Sequence, residues 1–180
     1  MAGPVMSKGK DSNQSAGTPQ WLFDAIAAEI PFGIDLAASK ENTKCSKFYT
    51  EEDNSLRLPW NEVCSKDSVG WCNHPYENCG LWIEKAFVET HWGATVVQLQ
   101  PAAFHRNYYQ DWAKEGPCAK VVINCAIKFD GYACASSILH AFFVWNKGLE
   151  VAGLNKIYEV DPRKPEEMKK IFGMLRKAFV

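Results

Sequence analysis

Neither sign of charge dominates this sequence: 20 lysines and arginines stand against 21 aspartates and glutamates, a net charge of −1. That balance excludes a global attraction for polyanions, so a nucleic-acid partner would have to be met by a local patch. Long apolar runs are also missing. No stretch reaches the roughly 20 residues that span a bilayer, and no membrane partner is expected. Paired cysteines are missing as well. The seven cysteines are odd in number and contain no Cys-x-x-Cys pair, which argues against a disulfide framework and a structural zinc site. Cys64, Cys72, His74 and Cys79 lie close along the chain, but buried thiols are the simpler reading. The N-terminal stretch has no apolar core ahead of a small-residue cleavage site, so no secretory signal is expected. Free thiols then point to a reducing cytoplasm.

What is present is ordinary globular composition, with 47% hydrophobic and 23% charged residues in a chain of 180, a size suited to one core. Residues 1–17 are small and polar and are expected to form a disordered tail. Residues 18–180 are expected to form a single domain. Thr18 can cap a helix with Pro19 in its first turn, and Trp21, Leu22, Ala25 and Ile26 follow at helical spacing. Short strands are predicted at 32–36, 48–50 and 69–73, a turn entering a helix at 38–44, and an amphipathic helix at 81–89. The alternation at 95–100 is a clear strand. Residues 120–129 and 137–145 read as two long strands joined by a glycine-containing turn, an antiparallel pair. A last helix starts near Pro165 with Met168, Ile171, Phe172, Leu175 and Phe179 on one face. Early strand–helix alternation and a late hairpin predict a three-layer α/β domain with a mostly parallel sheet.

The most informative stretch is Trp71-Cys72-Asn73-His74-Pro75-Tyr76, at a strand end, where open α/β sheets place ligands. It resembles the Asn-Pro-Pro-Tyr signature of amino-group methyltransferases, with histidine replacing the first proline. An adenine amine is conjugated with its ring, so its lone pair is a poor nucleophile. An asparagine oxygen and the next backbone carbonyl can accept both amine hydrogens and aim the lone pair at a methyl donor. An aromatic residue can stack on a base flipped from the helix. His74 can supply its carbonyl as proline does.

Further elements occur in order: Thr18, Pro19 and Phe23; Asp35, Ala37, Ala38, Ser39, Asn42 and Cys45; Tyr49, Asp53 and Leu56; Trp82, Lys85 and Ala86; Leu99, Pro101 and Ala102. With the tetrapeptide, these resemble the phage-type DNA N6-adenine methyltransferase family, related to Dam, over most of residues 18–145. The resemblance implies the class I S-adenosylmethionine-dependent methyltransferase fold, mostly parallel with a reversed final strand. It implies a catalytic lip of Asn73, His74, Pro75 and Tyr76. It also implies S-adenosylmethionine as cofactor, with Asp35, Ala37, Ala38 and Ser39 near its methionine part. Asp53 would serve its adenosine, with Glu51 or Glu52 as rivals, and Thr18 and Pro19 would close over the methionine end. Ala-Ala-Ser stands where a glycine-rich turn is usual. The implied partner is DNA with the target adenine flipped out, in a bacterial or phage-infected cytoplasm, read with low or short sequence specificity.

Several residues have bland readings beside functional ones. His91, His105 and His140 show no readable catalytic spacing and are expected to be core or surface histidines. Trp82 and Trp145 read as structural, whereas Trp60 and Trp112 fall in loops that could touch DNA. Residues 103–118 are the expected recognition loop. Lys169, Lys170, Arg176 and Lys177 read as the solvated face of the last helix rather than a phosphate surface. Two alternatives remain: an amino-methyltransferase acting on RNA or protein glutamine, and a degenerate module that binds cofactor or nucleic acid without turnover.

Overall fold

The computed structural model describes residues 16–180. The expected tail lies outside the described residues except for its last two positions. There Gly17 pairs antiparallel with Asp130, so ordered chain begins before the boundary expected at residue 18.

Six strands form one mixed sheet: β1 Phe32–Asp35, β2 Val69–Cys72, β3 Val96–Pro101, β4 Cys118–Ile123, β5 His140–Trp145 and β6 Ile157–Val160. Their spatial order is β1-β2-β3-β5-β4-β6. β5 runs antiparallel to both neighbours, while the β1–β2, β2–β3 and β4–β6 pairs are parallel. The reversed strand is therefore inserted between β3 and β4, and β6 follows it in the chain.

Period-two alternation sorts the strand side chains onto two faces. Val97, Leu99, Val121, Phe142 and Val144 meet one set of helices: α1 Gln20–Ala27, through Leu22 and Ile26, and α4 Pro165–Arg176, through Met168, Phe172 and Leu175. Val96, Val122, Phe143 and Trp145 meet α2 Cys79–His91 on the other face, through Trp82, Ile83 and Ala86. Each fully buried aliphatic or aromatic side chain contributes about 1.5–3 kcal/mol, and both faces of the sheet are covered in this way. A short helix, α3 Lys147–Val151, links β5 to β6.

Two buried polar side chains tie the second face together. The Gln98 amide donates to the Trp82 carbonyl at 2.8 Å and accepts from the Trp145 indole at 2.9 Å. Lys120 is 1% exposed. Its ammonium lies 2.9–3.2 Å from the carbonyls of Ala113, Lys114, Cys118 and Asn155 and over the Tyr109 ring.

Several sequence expectations are corrected. Thr18 makes no cap bond, and Pro19 itself is the residue preceding the first helical turn. Residues 38–44 are turns rather than a helix entrance, because their amides bond to side chains and to a neighbouring segment. The strand expected at 48–50 is a single parallel bridge from Phe48 to Asp35. The two long late strands shrink to β4 and β5, and residues 124–139 form an irregular connection with Gly131 at positive φ. β6 is missed because three of its four residues are not buried and carry no core pattern. Trp60, expected in a loop near DNA, is fully buried, with its indole N–H donating to Ser55 at 3.0 Å.

Candidate active site

Parallel pairing of β1 with β2 sets Asp35 beside Trp71, so the segments leaving both strands emerge side by side. The second of these is Asn73-His74-Pro75-Tyr76. Pro75, with φ −58°, opens a short turn over Tyr76–Asn78 that runs directly into α2. The tetrapeptide thus sits between a strand end and a helix start, and its backbone is fixed at both sides.

Within the lip, the Asn73 amide nitrogen donates to the Ala16 carbonyl at 3.1 Å. That bond orients the amide and leaves Oδ1 on the opposite side, where it accepts from the Tyr76 hydroxyl at 3.4 Å. A carbonyl oxygen has two lone pairs, so one acceptor site stays open. Burial raises the Tyr76 phenol, which keeps it a neutral donor. Its ring meets Phe129 edge-on at 6.4 Å and His140 at 5.8 Å, and Phe129 and His140 are 5.0 Å apart. These three rings, with Asn73, Pro75 and Ala16, wall a cavity of about 580 Å³.

His74 is 2% exposed and does not enter the cavity as a charged group. Its ring stacks on Trp82 at 5.3 Å and 7°. Nδ1 lies 3.1 Å from the Pro75 carbonyl and Nε2 lies 3.3 Å from the Gln100 side-chain oxygen. Burial pushes its pKa down to about 4, and a neutral imidazole can donate to only one of those two oxygens. A half-turn of the Gln100 amide would offer it Nε2, which has no partner, and would complete both groups.

His140, expected as a core or surface histidine, is buried and also lines the ring-walled cavity. Nothing near it in sequence signals a site. Only the pairing of Pro101 with His140 brings it to the cavity wall. It is 3% exposed, donates to the Ile138 backbone, and is held near pKa 4 by burial.

The two neutral histidines give a pH dependence. Their folded-state pKa values lie below the ordinary 6.5, so the unfolded chain binds protons first and stability falls as pH drops from about 6.5 toward 4. Asp35 opposes this, because burial raises its pKa to about 6 and its protonation favours the fold. A net loss of about 2 kcal/mol between pH 7 and pH 5 is expected in urea unfolding. Stability unchanged over that interval would show that the two imidazoles are not held neutral.

The residues expected to hold a cofactor are placed less uniformly. The Asp35 carboxylate is 2% exposed and accepts from the amides of Ala37 at 3.3 Å and Lys44 at 3.0 Å. The Ala38 amide donates to Tyr49 and the Ser39 amide to Asn42, so the three amides of the Ala-Ala-Ser turn are used inside the loop. Asp53 is exposed and accepts from the Thr50 amide and hydroxyl at 2.7 and 2.8 Å. It follows the segment that bridges β1 through Phe48. Thr18 and Pro19 are buried next to Gly17, and the Thr18 hydroxyl has no partner among the described residues. None of these seven residues lines the ring-walled cavity. Among the described residues, no three histidine, cysteine or acidic side chains are grouped to hold a metal ion, and no helix is long and apolar enough to cross a membrane.

A mixed α/β sheet that carries an Asn-His-Pro-Tyr lip at a parallel strand end defines a protein of the methyltransferase class. The family model described as DNA N-6-adenine-methyltransferase (Dam) matches residues 7–132, well over half of the chain, and the chain belongs to that family. It is similar to a DNA N-6-adenine-methyltransferase of Escherichia phage T1, with 29% identity over 127 residues, covering 69% of this chain and 51% of the relative. It is also similar to a DNA N-6-adenine-methyltransferase of Haemophilus phage HP1, with 35% identity over 63 residues and 34% of each chain covered. The chain thus spans about half the length of the T1 relative that it matches.

Proposed function

We propose that the chain methylates the exocyclic N6 amine of adenine in DNA, with S-adenosylmethionine as donor and a short sequence context. The observation that carries this reading is the Asn73 amide, fixed by Ala16 in the wall of an aromatic cavity.

Asn73 Oδ1 accepts one amine hydrogen and the backbone carbonyl of His74 accepts the other. Together they draw the nitrogen lone pair out of conjugation with the ring. Tyr76 stacks on the base, and Phe129 and His140 close the cavity around it. Neutral His74 acts from beneath, where its ring packs on Trp82 and supports the lip without exchanging protons near neutral pH. S-adenosylmethionine, when bound, supplies an electrophilic methyl group on sulfur. The residues that would hold it are Thr18, Pro19, Asp35, Ala37, Ala38, Ser39 and Asp53. The buried, unpartnered Thr18 hydroxyl is a polar group that a ligand would satisfy, and this favours the assignment. The amides of residues 37–39 are already used, so the turn would contact a ligand through its surface rather than by donating backbone bonds.

The fold around the lip fits a class I methyltransferase sheet, with β5 as the strand that runs against the rest. Residues 18–180 then act as one methyltransferase domain.

The test is direct. DNA from cells expressing the chain, digested to nucleosides, should contain N6-methyladenine by mass spectrometry. Labelled cofactor offered with DNA, RNA or cell extract separates this reading from transfer to RNA or to protein glutamine. Cofactor binding without turnover on any of the three would mark a degenerate module.

His74 supplies a further expected outcome. If only its carbonyl meets substrate, His74→Pro should keep activity per folded molecule within a few-fold of wild type or raise it. The same change removes a buried ring and leaves Gln100 without a partner, so stability should fall by about 2 kcal/mol. Activity lost at full stability would instead assign chemistry to the imidazole.

A further inference from the structure

Beside the ring-walled cavity lies a second one, of about 610 Å³, bordered by Arg106, Tyr108, Pro101 and Leu139. Tyr76, Glu77 and Ile138 line both, so Ile138 stands on the ridge that separates them. Ile138 and Leu139 are each 53% exposed. Their backbone is nevertheless pinned. The Leu139 carbonyl accepts from Ala102 at 2.9 Å, the Ile138 amide donates to the Ser136 hydroxyl at 3.3 Å, and the Ser136 amide donates to Ile127 at 2.7 Å. His140 then enters β5 at once. Two adjacent aliphatic side chains are therefore held out into water on a rigid support, Ile138 between the two cavities and Leu139 at the edge of the second. Arg106 is exposed and has no ion pair among the described residues.

We propose that Ile138 and Leu139 form a wedge that enters a DNA duplex beside the target adenine, while Arg106 takes the flanking phosphate in the second cavity. This rests on the reading of the chain as a DNA methyltransferase. A base that enters the ring-walled cavity leaves a gap in the stack and an unpaired partner, and the gap closes again unless apolar side chains fill it. Ile138 lines the cavity that would receive the base, and Leu139 follows it on the side of the second cavity. Glu77 borders both cavities, and Arg106 is the one arginine or lysine among the residues that line the second, which places the phosphate against Arg106. The contact needs only one local cation, which suits a chain with no overall basic excess.

The experiment uses the full chain with two oligonucleotide duplexes, one fully paired and one with the target adenine opposite an abasic site. Leu139→Ser and Ile138→Ser change half-exposed side chains, and thermal melting checks that both variants fold. For each, the ratio of methylation rate on the paired to the unpaired duplex should fall about 10-fold, because only the paired target needs help to leave the stack. A second readout is 2-aminopurine at the target position, whose fluorescence should rise when wild type binds and stay low with the variants. Arg106→Gln should reduce the salt dependence of DNA binding by about one phosphate contact. Unchanged rate ratios would overturn the wedge, as would equal loss on both duplexes or a change in oligomeric state that exposes the patch as a contact between copies. A fluorescence rise with wild type but no methylation of any DNA would instead defeat the methylation reading and leave the wedge standing.

Discussion

Asn73→Ala should abolish methylation, with a rate loss of about 100-fold or more, while cofactor affinity in calorimetry stays nearly unchanged. Removing one preorganised partner of a developing charge typically costs that much. Here the amide is held by Ala16 on one side and Tyr76 on the other, so its oxygen needs no reorganisation when an amine arrives. The side chain is only half-buried, and its loss should leave the fold intact. Tyr76→Ala should add a different defect, weaker capture of the base by about 1–3 kcal/mol if stacking is its role. Full activity in Asn73→Ala would remove the basis of the mechanism.

The second large effect concerns stability. Lys120→Met keeps most of the side-chain volume but deletes the ammonium that four backbone carbonyls share. Those carbonyls belong to the end of the short helical turn Tyr109–Ala113, the start of β4 and the residue Asn155 before β6. One cation thus joins two neighbouring stretches of chain, at 113–114 and 118, to Asn155, which is distant in sequence. Leaving a buried acceptor without its donor costs about 1–3 kcal/mol for each group, so the loss is a large part of the roughly 5–15 kcal/mol that stabilises most domains. Urea unfolding should show the loss as a lower midpoint. A change below about 1 kcal/mol would mean that water reaches the vacated carbonyls.

Elements with strong side-chain periodicity were legible in the sequence. Residues 95–100 alternate cleanly and form β3, while the helices α2 and α4 announce themselves by spacing and by Pro165. The tetrapeptide was legible as a motif because its four residues are adjacent. His140 was not, since strand register rather than sequence proximity brings it to Tyr76. Trp60 misled because its neighbourhood is polar, yet burial against Trp82 outweighs local composition. The connection at 124–139 misled in the opposite direction. Its apolar residues Ile127 and Phe129 read as strand but instead pack down from an irregular loop. Asp35 was correctly placed at a strand end, but its carboxylate proved to organise the following turn rather than stand open.

The insertion of β5 between β3 and β4 has a consequence for assembly. Until residues 140–145 arrive, the sheet exists only as the ribbon β1-β2-β3 and the lone strand β4, with β6 still to come and the edges of β3 and β4 that will flank β5 unpaired. Every residue of β5 is buried, so its docking must displace water from the edges of β3 and β4 at once. A chain halted during synthesis after residue 132 would already carry the complete Asn-His-Pro-Tyr lip, yet it would present two unsatisfied edges to any neighbour. Such edges recruit foreign strands readily. The late strand is therefore a safeguard against self-association as well as the support for His140.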